Sequence, residues 1–368
     1  MAISEYRIFF DNSPADADRL ALIEEIRVDQ AIDMVTEAQI TFPIGRDDNG
    51  DWPAVLEETL RPLTRVRVEV AIGSTAFVPL IEGRVVAQRF VMGGGPNESK
   101  AVIVAHDESS LMNREDKARL FEDMSPEDIA AQIFGEYGFD ADTESSGVGS
   151  PSLERVVMQR GTDFGLLRRL ARRANMVVHV EPGANPGQTV GRFRRLPTTA
   201  GDLPEMLLSG RDRNVNRLSL ELDALSPVTA LANQIDPADL STLTAEVQQA
   251  ETRMLGDEAT NDLADPKTVF LDDPSADLTE MEAGVQATVD RGAWAYSGEG
   301  EVSAEIYTGV LRPYEVLSVA GAGTRLSGEY LVSEVSHTFT DDDYKQAFTL
   351  RRNAQSGSGG SGLPGQVF

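Results

Sequence analysis

Gln159-Arg160-Gly161-Thr162-Asp163-Phe164-Gly165-Leu166-Leu167-Arg168-Arg169-Leu170-Ala171-Arg172-Arg173-Ala174-Asn175-Met176 lies between two β-patterned regions of this 368-residue chain. Thr162 is an N-cap residue, its hydroxyl suited to accept from an orphaned amide of the first turn. Phe164, Leu167, Leu170, Ala171 and Ala174 follow at helical spacing and make one apolar face, with Arg168, Arg169, Arg172 and Arg173 largely off it. Asn175 suits the left-handed residue that ends a helix, and Val177 to Val180 then reads as a strand. A first helix is expected upstream: Ser125-Pro126-Glu127-Asp128 sets a cap, a proline at the first helical position and an acid three residues on. Ile129, Ile133, Phe134 and Tyr137 continue that helix until near Gly138.

The residues before about 108 read as β-structure. Thr64 to Val70 alternates, placing Val66, Val68 and Val70 on one face and Arg65, Arg67 and Glu69 on the other, the pattern of a half-buried strand. Gly83 to Val91 and Lys100 to His106 flank the loop Gly93-Gly94-Gly95-Pro96-Asn97 and are expected to form a hairpin. Tyr6 to Phe10, Ile23 to Val28 and Ala38 to Phe42 supply further strands of a small barrel or sandwich. After the helices, β-pattern returns at Val177 to Val180, at Asn214 to Asp223, around Val302, and in a closing hairpin from Gly328 to Phe339 and Tyr344 to Arg351.

The expected organisation is a β-domain over 1–108, a helical connecting domain over 109–176, and a second β-domain from 177–223 and 295–352. An acidic, partly helical insertion fills 224–294, with helical spacing at Leu240 to Leu255, and a Gly/Ser tail fills 353–368. The tail ends in the apolar Val367-Phe368, a candidate docking peptide or a plain disordered end.

Lys and Arg total 33 against 60 Asp and Glu, a net charge of −27, which repels phosphate backbones and anionic membranes. Nucleic acid is therefore not an expected partner. No run of about 18 apolar residues and no signal-peptide pattern is present, so stable membrane insertion is not expected, and synthesis in the cytoplasm is. Residues 155–217 run against this balance, with twelve Arg and five acids. Arginine forks pair directionally with carboxylates, so Arg168, Arg169, Arg172 and Arg173, with Val367 and Phe368, are the candidate subunit or partner interface; a solvated helix face is the plain alternative.

Little else points to chemistry. Without cysteine there is no disulfide, thiolate metal site or thiol nucleophile. His106, His179 and His337 are scattered through strand-like segments, as structural histidines are, without an HExxH motif. Asp47, Asn49, Asp51 and Glu58 have calcium-loop spacing, but Trp52 stands where the turn requires glycine. Ser99 likewise breaks a phosphate-loop pattern at Lys100. No catalytic residue, metal ligand or cofactor is assigned.

The stretch Gln159 to Met176, followed by Val177-Val178-His179-Val180, resembles the phage late control protein D family of tail or baseplate hubs, related to the hub part of type VI secretion spike proteins and to contractile injection system hubs. Leu311 to Leu317, Leu326 to Val332, His337, Tyr344, Phe348 and Arg351 follow in that family's order. The family commonly has Pro-Gly where this chain has Pro313-Tyr314, which puts that turn in question.

The resemblance implies a mainly β protein with α+β portions: two tail-tube-like β-barrel domains joined by a small helical domain. It implies a homotrimer that joins a spike protein to an inner tube protein among other baseplate components, incorporated into a phage tail or tail-like particle. That is a structural role without enzymatic activity. The rival readings are a tail-associated peptidoglycan hydrolase using paired carboxylates and a carbohydrate-binding β-protein, the latter short of stacking platforms with Trp52 and Trp294 the sole tryptophans.

Overall fold

The computed structural model describes residues 4–45, 61–73, 75–93, 98–147, 156–235, 240–263, 265–272, 278–340 and 343–357. Among its described residues the N-terminal part is mainly strand, with a short turn of helix at Ala17–Leu20: β1 (Ser4–Phe10), β2 (Ser13–Pro14), β3 (Glu25–Ala31), β4 (Glu37–Pro43), β5 (Arg65–Ile72), β6 (Val78–Val91) and β7 (Lys100–Asp107). The middle part contains β8 (Lys117–Glu122), the Pro126–Glu136 helix, β9 (Asp140–Thr143), β10 (Val156–Gly161), the Asp163–Arg173 helix, β11 (Val177–Pro182) and β12 (Thr189–Arg194). The C-terminal part begins with β13 (Met206–Leu207) and β14 (Arg217–Leu222). An inserted unit holds β15 (Val228–Ile235), β16 (Thr242–Val247), β17 (Glu258–Ala259), β18 (Lys267–Leu271) and the Leu278–Gly292 helix, before β19 (Tyr296–Ser303), β20 (Val316–Ala320), β21 (Gly328–Phe339), β22 (Tyr344–Arg352) and β23 (Ala354–Gln355).

One sheet runs through both ends of the chain. Its order is β14-β19-β22-β21-β3-β4-β7-β6-β5-β1-β2, with β20 and then β13 branching from β21. The central seam is antiparallel, from Glu334 opposite Ala31 to Phe339 opposite Ile26. The cores interlock there. Val28, Ile40, Val66, Val68, Ile81 and Ile103 form the N-terminal core, and Phe339 and Tyr344 from the C-terminal hairpin complete it. Burying each such Val or Ile contributes about 1.5–3 kcal/mol. Among the described residues no pairing closes either half into a ring.

Both expected caps form. Ser125 Oγ accepts from the Asp128 amide at 3.2 Å, and Thr162 Oγ1 accepts from the Gly165 amide at 3.1 Å. Asn175 has φ +51° and Gly138 φ +72°, so both helices end in the left-handed region as their sequences require. Ile129, Ile133, Phe134, Phe164, Leu167 and Leu170 meet in one core. Gly191 on β12 lets Phe134 lie against the strand backbone, since a Cβ there would sit 2.3 Å from the ring.

Four expectations are corrected. The polar face of β5 is not solvated: Arg67 and Glu69 are buried, because the end of the β11–β12 hairpin covers them. Residues 177–194 do not join the large sheet; β11 pairs β12, and β12 pairs β9 in parallel, so these strands pack on the helical middle part. Leu240 to Leu255 is not helical, because Thr242–Val247 pairs with β15, and tertiary pairing overrides spacing in so short a segment. The inserted unit has a small core of its own, in which Ala230, Ala232 and Ala245 meet Met281, Val285 and Val289. At the C-terminal end, Asn353 and Ala354 are buried and β23 pairs β17, so order extends beyond 352.

Candidate functional site: the arginine-rich helix

A buried carboxylate anchors this helix. Asp163, its first residue, is excluded from solvent with Gln159. Asp163 Oδ1 accepts from Arg119 Nη2 and Gln159 Nε2, each at 2.8 Å; Oδ2 accepts from Lys117 Nζ at 2.6 Å and the Tyr137 hydroxyl at 2.7 Å. Burial alone would raise the Asp163 pKa, but the hydrogen bonds from Lys117, Gln159 and Tyr137 outweigh it and hold the carboxyl below its ordinary value. The same hydrogen bond raises the Lys117 pKa. Arg119 Nη1 also reaches both oxygens of Glu136, at 2.8 and 2.9 Å. Gln159 and Asp163 thus tie β8, β10 and both helices together, and four donors engage the Asp163 carboxylate.

The apolar stripe of the helix faces the core and the arginines face the inserted unit. Arg173 Nη1 donates to Glu280 Oε1 at 3.0 Å across the gap to the Leu278–Gly292 helix. Arg291 of that helix donates to the Arg172 carbonyl at 2.5 Å, and Arg169 donates to the Met158 carbonyl at 3.0 Å. Among the described residues Arg168 and Arg172 make no ion pair. The four candidate arginines and Arg291 line one groove of about 570 Å³. Val367 and Phe368 lie outside the described residues.

A second constellation was not legible in sequence. The three parts of the chain meet around a cavity of about 320 Å³, where His179 of β11 lies flat on Tyr314, ring centroids 3.7 Å apart and planes 7° from parallel. His179 Nε2 is 2.8 Å from Glu181, which also accepts from Arg192 at 3.1 Å. Burial is opposed by the His179 hydrogen bond and by the charges of His179, Arg194 and Arg312, which hold Glu181 below its ordinary pKa. Burial pushes Glu315 up despite Arg312 beside it. Among the described residues His179 Nδ1, Arg194 Nε and Glu315 Oε2 are buried and have no hydrogen-bond partner. The available clue was Pro313-Tyr314: Tyr314 has φ +65°, so the non-glycine residue adopts the conformation a glycine would. A third cavity, about 860 Å³, is lined by Arg195, Arg253, Gln286 and Trp294 among others.

The other histidines pair locally. His106 is 3.0 Å from Glu37, and buried His337 contacts the Tyr344 hydroxyl at 2.8 Å and Gln30 at 3.1 Å. Among the described residues no group of three or more His, Asp or Glu is placed to hold a metal ion, and no helix is long and apolar enough to cross a membrane. The calcium-like spacing from Asp47 to Glu58 lies outside the described residues.

No curated protein matches the sequence. Solved structures do match the fold. A 43 kDa tail protein of prophage MuSo2 from Shewanella oneidensis superposes with a TM-score of 0.67 at 12% identity, covering 96% of this chain and 100% of its own. A tail protein from Neisseria meningitidis gives 0.63 at 13% identity, over 95% of this chain and 96% of that one. A type VI secretion component of Escherichia coli, described as structurally similar to the T4 bacteriophage tail proteins gp27 and gp5, gives 0.54 at 12% identity, over 93% and 76%. The mainly β, tail hub-like fold implied by the late control protein D resemblance is therefore present, although the family model that matches carries a different description. That model is the Alg8 N-terminal domain, matched over residues 12–341, and by this match the chain, with the fold of phage tail proteins, belongs to the Alg8 N-terminal domain family.

Proposed function

We propose that this chain is the structural hub of a contractile phage tail or tail-like injection system, three copies forming an adaptor between a central spike and an inner tube. The observation that carries the reading is the composition of the large sheet: β14, β19, β22 and β21 stand side by side with β3, β4, β7 and β6, four strands from each half of one chain. A chain with two such sheet segments supplies six in a closed threefold ring, which matches a threefold partner on one side and a sixfold partner on the other. In this reading the two β-halves are tube-like barrel domains, the helical part between them is the connector, and the chain works in a tail or tail-like particle without enzymatic activity. The tail-protein fold supports the structural role.

Light scattering on the purified chain tests it. Three copies of 39.9 kDa give roughly 120 kDa, and electron images should then show a ring with near-sixfold outline. A monomer that stays monomeric with its spike subunit, or turnover of purified peptidoglycan, would overturn the reading.

A further inference from the structure

We infer that the groove between the Asp163–Arg173 and Leu278–Gly292 helices is a docking site for an acidic polypeptide segment of another protein. This goes beyond the hub reading and holds whether or not three copies close a ring. Arg168, Arg169, Arg172, Arg173 and Arg291 line the groove, and among the described residues the carboxylate lining it is Glu280. That carboxylate is itself buried and already accepts from Arg173 at 3.0 Å. Arg168 and Arg172 have no ion-pair partner among the described residues, so cationic charge in the groove exceeds the anionic charge that the described residues set against it. Planar guanidinium forks are matched by carboxylates in two-point hydrogen bonds.

The floor specifies the rest of the ligand. Val269, Leu271 and Met281 give it an apolar surface fit for an aliphatic side chain. Gly284 leaves room there, since among the described residues a Cβ on it would meet nothing nearer than Leu271 at 3.9 Å. The groove thus favours a short peptide with carboxylates around an aliphatic anchor. A nucleic acid or anionic bilayer would extend its charge past the groove over a chain of net charge −27, whose residues 218–290 alone contain 16 acids, whereas a short acidic segment sets its carboxylates against the groove arginines. A second copy brings the same repulsion. Residues 353–368 contain no acidic side chain, so that segment does not match the groove's charge.

The test is fluorescence anisotropy with the full chain and a labelled glutamate-rich peptide containing two leucines. Binding should saturate, weaken as salt rises, and fall at least tenfold in the double variant R168E/R172E. Gly284→Trp, which fills the groove and leaves every arginine in place, should abolish binding with an unchanged melting temperature, separating blockage from misfolding. A peptide with glutamine for glutamate should not bind. The inference is overturned if the unsubstituted chain fails to bind at millimolar peptide, if either variant binds as tightly as the parent, or if the glutamine peptide binds equally. It also fails if duplex DNA or phosphatidylserine vesicles bind in preference through the same arginines. A salt-sensitive rise in native mass on concentrating the chain alone, lost in R168E/R172E, would assign the groove to a second copy instead.

Discussion

His179 stacks on Tyr314 at 3.7 Å, and the Tyr314 hydroxyl accepts from the Asp33 amide at 3.1 Å, so one side chain ties the middle part of the chain to both β-halves. Tyr314 holds this position at φ +65°, where a non-glycine residue is strained by roughly 1–2 kcal/mol. Tyr314→Ala keeps the strain and loses the stack and the buried ring, and should cost about 3–5 kcal/mol. Tyr314→Gly loses the same contacts and relieves the strain, so it should be milder by about 1 kcal/mol in urea unfolding. Equal losses would show that the backbone there is unstrained.

Arg67 shows how much a buried charge depends on its partners. Its guanidinium donates to Glu69 at 2.7 Å, to Glu82 at 3.1 Å and to the Gly183 carbonyl at 2.9 Å. Arg67→Ala leaves two carboxylates beneath the β11–β12 hairpin and should cost about 3–5 kcal/mol. Arg27→Ala, which breaks an exposed pair with Asp29, should cost at most about 1 kcal/mol. Denaturant midpoints of the two variants check the contrast.

Asp163 makes stability sensitive to acid. Its folded-state pKa lies below its unfolded value, so the stabilisation is fully present above the unfolded value, roughly 3.9, and is lost as pH falls through the folded one. Asp163→Asn should therefore be less stable than the parent at neutral pH, with the gap narrowing below about pH 4. A constant gap from pH 7 to 3 would count against this linkage.

His337 acts in a higher window. It lies in the β21–β3 seam opposite Val28, and burial, helped by the Arg312 charge, lowers its pKa from 6.5 to about 3. A histidine neutral in the folded state but protonated when unfolded gives stability that is complete above 6.5 and declines as pH falls toward 3. His337→Gln should flatten the thermal-stability profile across that interval. An unchanged slope would place the acid response elsewhere.

Gly191 gives a steric test of the middle core. Gly191→Ala sets a methyl 2.3 Å from Phe134, and overpacking should cost about 1–3 kcal/mol in thermal unfolding. The pair Gly191→Ala with Phe134→Leu should recover part of that loss.

Local chemistry was legible along the chain because it acts within a few residues. The caps at Ser125 and Thr162, the left-handed Asn175, the apolar stripe from Phe164 to Ala174 and the two-residue alternation at Val66, Val68 and Val70 each depend on neighbours within a turn or a pleat. The arginine cluster was legible as charge. Its meaning was not, since Glu280 and Arg291 are more than a hundred residues away from the residues they meet. Tertiary structure alone decided that β21 joins β3, that the polar face of β5 is roofed by the β11–β12 hairpin, and that Thr242–Val247 is a strand. In each case the deciding partner comes from a distant segment, and burial or edge pairing against it outweighs what neighbouring residues prefer.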